Sequence, residues 1–490
     1  MDTLILLLAA GGLAALLGRR RVRPAQWWSE PLWATGCGLV FAAISTWITA
    51  PLLMEQSVCM PDFSEYCQGI LQLHGAVDIF PSKRSRLAAW LPAILARHHG
   101  IPDGLAWAGV ISAGVMGAAL YAWGRVLGGR AAGLMAVTAG MAMAPLAGLP
   151  RFLAYYPELS AGLTMAAAAT AAAMARPGLI RMALAGAGIG LCLLLDVRGL
   201  VWALPYLGGL LLAGLSAPVD SRRRGLLLVA GLVPIWLSWF GGWSAYTAFS
   251  APLEAQLDIR PLFYAHGVRD TAFLPPYAYS SGLIWGWTSP AELLGTIRFL
   301  IEQRALGETV PVPFPPPAGA MLDHHQRWWG ALLTCSAVAG LGLLRRPRVL
   351  LALAATVLPF AVSFHSIGDA AELSARFYAH ALPGVAVVMG VAVGAVVALT
   401  PRLPWSGPPP ALRGLAVAGI GLALVMGWLP TWLSVTAAWR EPVYCYDGAR
   451  EMLVEAREER TMMGTCARAI YGDDSTAELP ITVFDAPPWQ

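Results

Sequence analysis

The chain has 490 residues, of which 57% are hydrophobic and only 13% are charged, with a formal net charge of +4 and a mean hydropathy of +0.59. A soluble domain carries about 25% charged residues, so a chain this apolar cannot clothe a water-facing surface, and its main solvent is lipid. Nucleic-acid binding is excluded as well: Lys83 is the one lysine, and the arginines form no stripe with interleaved aromatics.

Leu4 to Leu17 is apolar and is followed by Arg19, Arg20, Arg21 and Arg23. A cleaved leader carries its charge before the apolar run, so this segment is expected to be a signal-anchor helix with its N-terminus outside. Leu32 to Leu53 then runs outward and opens into a polar stretch from Glu55 to Asp103. Leu105 to Gly124 returns to Arg125 and Arg130, and the next pair of spans turns near Pro150–Tyr156 and comes back to Arg176 and Arg181. Leu184 to Leu215 is either two short spans turning at Asp196-Val197-Arg198-Gly199 or one long kinked span ending at Arg222-Arg223-Arg224. Gly225 to Trp243 exits into a second long segment, Ser244 to Arg327, which holds the stiff run Pro311–Pro317. Trp328 to Leu344 returns to Arg345 and Arg346, Val349 to Phe364 goes out, Leu382 to Leu399 comes back to Arg402 and Arg413, and Leu415 to Leu433 exits.

The arginines thus cluster on alternate turns, as the positive-inside bias requires. The expected fold is an all-α polytopic membrane protein of about twelve spans with both termini outside. Residues 1–29 form an extra N-terminal span and its Arg turn. Residues 30–436 form the main transmembrane domain, with external loops at 54–104 and 244–327 that carry amphipathic helices, and 437–490 form an extracytoplasmic tail. The Ala- and Gly-rich, Arg-for-Lys composition suggests a high-GC bacterium, which places the chain in an inner (cytoplasmic) membrane. Twenty Trp suit interfacial belts. Cys37, Cys192 and Cys335 fall within spans, whereas Cys59, Cys67, Cys445 and Cys466 fall on the outside, where local disulfides Cys59–Cys67 and Cys445–Cys466 are permitted.

Polar groups are costly in a membrane chain, and function concentrates where they are kept. Asp62 and Glu65 lie three apart, on one face of a helix. Such a pair shares a metal ion or supplies a base; equally, it is an N-cap with its partner at N3. Lys83, Arg84 and Arg86 lead into an amphipathic stretch ending in Trp90, fit for a lipid phosphate or for headgroup snorkelling. Glu158 follows Tyr155-Tyr156-Pro157, and on this turn alone the plainer reading is an interfacial acid in a tyrosine belt. Arg198 and Arg376 lie on the outer side, against the arginine bias, as phosphate clamps or as partners of Asp196 and Glu372 in structural pairs. His324 and His325 are adjacent and so diverge by about 100° on a helix, a poor geometry for joint chelation. Tyr264, His266, Tyr277, Tyr279, Trp285 and Trp287 form a sugar-stacking wall or a re-entrant interfacial loop.

Taken in order, these elements resemble the GT-C superfamily of polytopic glycosyltransferases, especially the branch of protein mannosyltransferases and bacterial aminoarabinose transferases. The resemblance rests on Asp62-Phe63-Ser64-Glu65-Tyr66 opening a large external loop, Gly75-Ala76-Val77-Asp78, the basic run Lys83-Arg84-Ser85-Arg86 before Trp90, Gly128-Gly129-Arg130, Pro157-Glu158, Arg198-Gly199, and Arg376-Phe377-Tyr378 before Pro383. It spans residues 30 to 400, thinly in the middle, and implies a GT-C-like fold and an enzyme of the EC 2.4 class. The implied reaction moves a sugar from a polyprenyl-phosphate carrier to an acceptor (glycan, lipid or protein) on the periplasmic face. Asp62 and Glu65 would be catalytic, with Asp62 as general base. Lys83, Arg84, Glu158, Arg198, Arg376 and Tyr378 would bind substrate, and Asp62 and Glu158 would hold a divalent ion, Mg or Mn. Two other classes stay open: a non-catalytic GT-C-like scaffold subunit with membrane protein partners, and a lipid or solute transporter. Few ionisable residues fall inside spans, which weighs against the transporter.

Overall fold

A computed structural model of the chain describes residues 29–54, 67, 69–71, 73, 89–151, 156–196, 199–254, 272–275, 280–305, 332–368 and 375–399. Among these the regular structure is helical, without strands. The helices are α1 (Ser29–Met54), α2 (Trp90–His99), α3 (Ile101–Gly128), α4 (Arg130–Ala142), α5 (Tyr156–Ala175), α6 (Leu179–Leu195), α7 (Gly199–Leu215) and α8 (Ser221–Ala245). They continue as α9 (Ser280–Trp285) and α10 (Pro290–Ala305), α11 (Leu332–Leu343), α12 (Pro347–Gly368) and α13 (Ala375–Leu399). Three helical stretches are long and apolar enough to cross a membrane: Glu30–Thr49, Asp103–Gly128 and Ser221–Ala248. Shorter apolar helices fill much of the rest.

The chain direction alternates. Gly129 lies between α3 and α4 with φ +91°, a backbone that L side chains rarely adopt. The reversal at Gly129 lets Arg125 and Arg130 share one end of the bundle. There Glu30 accepts hydrogen bonds from Tyr121 Oη (2.8 Å), Arg125 Nε (3.1 Å) and Arg130 Nη2 (2.6 Å). The Arg130 guanidinium also lies 5.6 Å from the Trp33 ring centre. One carboxylate therefore ties α1, α3 and α4 together. At the same end Arg348 at the start of α12 donates to Ser216 after α7, and Arg224 in α8 donates to Ala217. The arginines converge as the charge bias anticipates. The Glu30 cluster is partly exposed, so its worth is modest. Glu30→Ala is expected to cost about 1–2 kcal/mol and to lower the detergent-solubilised melting temperature by a few degrees.

Helix contacts in the membrane are made by small residues, because backbones must approach closely where lipid offers no hydrophobic drive. α4 and α13 meet along such a seam. A methyl added to Gly394 would come within 2.8 Å of the Gly128 carbonyl, and one at Gly390 would overlap Ala132. The centre is pinned by aromatics. Trp123 Nε1 donates to Thr356 Oγ1 at 3.1 Å, and Thr356 in turn donates to the Ala352 carbonyl. Trp123 and Trp202 both pack against Phe360, which joins α3, α7 and α12.

Two expectations are settled and one is corrected. Leu184 to Leu215 is two helices, because the extended backbone of Asp196 (φ −158°, ψ 151°) breaks the run. The exit at Gly225–Trp243 is α8. The basic run 83–86 lies outside the described residues; beyond it α2 begins at Trp90 and folds back on α3, with Ala96 against Gly104. Cys67 is a buried free thiol rather than half of a Cys59–Cys67 bridge. Its helical, apolar surroundings include Ile70 and Leu71. Cys445, Cys466, the first span, the span 415–433 and the tail lie outside the described residues.

Within the second long segment between spans, α10 opens with a reciprocal cap. Ser289 Oγ accepts from the Glu292 amide, and Glu292 Oε2 accepts from the Thr288 and Ser289 amides and from Thr288 Oγ1. This places α10 firmly after the Trp285–Trp287 turn.

Candidate functional site

At the end opposite the arginines, α5 begins, α6 ends and α13 begins. Proline sets the start of α5. Pro150 and Pro157 crowd Gly109 of α3, where an added methyl would sit 3.0 Å from Pro150 Cβ and 3.6 Å from Pro157 Cγ. The chain therefore enters α5 pressed against α3, and its first turn is carried into the interior. Tyr156 and Leu159 are each 1% exposed. Glu158, between them, is 9% exposed, and neither of its carboxylate oxygens has a hydrogen-bond partner among the described residues.

This corrects the interfacial reading of Glu158. A helix start favours an acid through its unpaired amides, but that alone does not repay desolvation. A carboxylate held in such a place needs a hydrogen-bond donor or a cation beside it.

α5 and α6 run antiparallel. A methyl on Gly162 would overlap the Leu195 side chain, and one on Gly188 would meet Ala166. Leu195 precedes Asp196, and Glu158 lies about one turn beyond Gly162 toward the same end. Asp196 is 2% exposed, and its carbonyl accepts from the Gly199 amide at 2.9 Å, closing the turn into α7. Arg376 and Tyr378 occupy the first turn of α13. Since the far end of α13 meets Gly128, that first turn lies at the same end of the bundle as Glu158.

Of the predicted site residues, the structure thus gathers Glu158, Arg376 and Tyr378 at one end, for Arg376 and Tyr378 as backbone positions. Asp62, Glu65, Lys83, Arg84 and Arg198 lie outside the described residues, as do Glu372, His324 and His325. The Asp62–Glu158 metal pair is therefore described only through Glu158. Among the described residues no three His, Cys, Asp or Glu side chains cluster to hold a metal.

A feature missed from sequence stands beside this end. Trp236, Trp239, Phe240 and Trp243 of α8, with Trp285 and Trp287, line a cavity of about 240 Å³. Trp285 and Trp287 belong to the segment anticipated as a stacking wall. Their α8 partners were readable only as spacing: positions 236, 239, 240 and 243 share one helical face.

The described helices share the fold of solved structures of an archaeal oligosaccharyltransferase. A structure of the archaeal oligosaccharyltransferase AglB from Archaeoglobus fulgidus, in complex with an inhibitory peptide and a dolichol-phosphate, superposes with a TM-score of 0.59 at 14% identity, over 94% of this chain and 61% of that one. A complex of the A. fulgidus enzyme with Zn and sulfate gives 0.54 at 15% identity, over 86% and 55%. ArnT from Cupriavidus metallidurans bound to undecaprenyl phosphate gives 0.42 at 13% identity, over 91% and 77%. The chain thus spans about three fifths of the length of the oligosaccharyltransferase. No protein-family model matches the chain, and no curated protein does.

Proposed function

We propose that this protein is a membrane glycosyltransferase that moves a sugar from a polyprenyl-phosphate-linked donor to an acceptor on the extracytoplasmic face, with a carboxylate as base. The observation that carries the reading is Glu158: a carboxylate buried without a partner among the described residues, at the end of a GT-C-like bundle opposite the arginines. A polar group kept at that cost asks for a ligand with a hydroxyl or a positive charge.

A glycosyl phosphate is already activated, so the protein must supply a base and stabilise the departing phosphate. Asp62 takes the proton from the acceptor hydroxyl as its oxygen attacks the anomeric carbon. The bond from that carbon to the phosphate oxygen breaks, and the electron pair leaves on the phosphate. Glu65 orients the base. Lys83, Arg84, Arg198 and Arg376 gather charge on the leaving group, and Tyr378 donates to it. Glu158 offers one oxygen ligand for a hard cation, with Asp62 as the other, which suits Mg or Mn; such an ion would neutralise phosphate charge. The arginine-rich end then faces the cytoplasm of a bacterial inner membrane.

The full chain, reconstituted in nanodiscs with a polyprenyl-phosphate sugar extract, should release polyprenyl phosphate in step with a glycosylated acceptor. If no extract of polyprenyl-phosphate sugars supports release above a protein-free control, the assignment fails.

A further inference from the structure

Charge is not spread evenly over the arginine end of the bundle. Two groups far apart in the chain are tied to one short turn after α7: Arg222, Arg223 and Arg224 at the start of α8, and Arg345, Arg346 and Arg348 around the start of α12. Arg224 Nε donates to the Ala217 carbonyl at 3.1 Å, and Arg348 Nη2 donates to the Ser216 carbonyl at 2.9 Å. Carbonyls of adjacent residues lie close together, which holds these two guanidinium groups within about 11 Å of each other.

The arginines outnumber their acids. Asp220 caps α8 by accepting from the Arg223 amide at 2.8 Å, and it pairs with Arg223 Nε at 3.6 Å. Arg222, Arg345 and Arg346 are exposed and make no ion pair among the described residues. Arg222, Arg223, Arg224 and Arg348 occupy the first turns of α8 and α12, and neither first turn contains an acid. Cations are disfavoured at that positive end of the helix dipole. The positive-inside bias explains arginines on each of these turns. It gives no reason to bring the two groups together at helix starts, whereas a shared anion does.

The surroundings identify the anion as a lipid. Leu215, Leu226 and Leu344 are each more than half exposed, within two residues of Ser216, Arg224 and Arg345. α8 is long and apolar enough to cross a membrane, so its first turn sits where headgroups meet acyl chains. A soluble phosphate would leave those leucines bare; a lipid covers them while its phosphate reaches the arginines.

We propose that the turn 216–217, with the arginine groups of α8 and α12, binds a lipid whose two phosphates are joined through one glycerol, a diphosphatidylglycerol. One phosphate faces Arg222 and Arg223, and the other faces Arg345 and Arg346, each within reach of guanidinium forks. The glycerol link makes the second contact intramolecular, and this favours the two-phosphate lipid over lipids with one.

The test is native mass spectrometry of the full chain, titrated with lipid at one fixed salt concentration. Tetraoleoyl diphosphatidylglycerol should bind at least about tenfold tighter than dioleoyl phosphatidylglycerol supplied at equal phosphate. Arg345→Gln combined with Arg346→Gln should weaken it about thirtyfold, and Arg222→Gln, in the other group, about fivefold. These side chains are exposed and unpaired, so the melting temperature of the lipid-free variants should match the wild type. Arg125→Gln removes an arginine at the same end that already pairs with Glu30, and should change the affinity less than twofold. Inorganic pyrophosphate, with two phosphates and no chains, should not displace the lipid at equal concentration. Equal affinity for the two lipids, or no effect of Arg222→Gln, overturns the two-phosphate site. A fivefold loss in Arg125→Gln means that charge is read diffusely, and displacement by pyrophosphate means that the occupant is not a lipid; either result overturns the proposal.

Discussion

Glu158→Gln is expected to lower transfer by about 10²–10³-fold while leaving the melting temperature unchanged or raising it. The two effects separate because they arise from different states. In the resting protein the carboxyl group is buried, and its oxygens have no partner among the described residues. An amide of the same shape keeps the packing and removes the cost of ionising a group in a dry place. In the working protein the same charge would hold a cation or a substrate hydroxyl, and an amide cannot replace it there. A structural acid would behave in the opposite way, with stability lost and turnover kept. Parallel thermal melts and single-turnover assays distinguish the two cases. A Glu158→Gln protein that melts earlier but transfers sugar at the wild-type rate would remove Glu158 from the site.

Asp62→Asn should cost about 10²–10⁴-fold in transfer, the range of a lost general base, with binding of the polyprenyl-phosphate donor retained. Asn keeps the shape of Asp and can still accept a hydrogen bond, but it cannot take a proton. The loss should therefore sit in the chemical step rather than in affinity. If an acceptor with a more acidic hydroxyl recovers much of the rate in the variant, the base role is supported. Undiminished turnover in Asp62→Asn would remove Asp62 as the proposed base.

The spans were legible where apolar length and arginine position agree, as at α1, α3 and α8. Leu184 to Leu215 was ambiguous because its single polar turn, 196–199, is shorter than any hydropathy window. The backbone geometry of Asp196 decides it. Glu158 could be picked by position but not by burial. Its burial depends on Pro150 and Pro157 wedging against Gly109, a contact between distant segments. The aromatic cavity stayed hidden for a related reason. In an apolar chain rich in Trp, four aromatics on one helix read as an interfacial belt, and only the approach of Trp285 and Trp287 turns them into walls.

The Gly and Ala seam between α4 and α13 has a bearing on how this sequence can drift. Positions 390 and 394 have no spare volume, so descendants of this protein should vary there only among the smallest residues. The lipid side of α8, with Leu226, Val229 and Leu237 all more than half exposed, can exchange one large apolar residue for another without penalty. A mutational scan of the two helices should therefore give nearly opposite tolerance maps: intolerance to bulk in one, indifference to shape in the other.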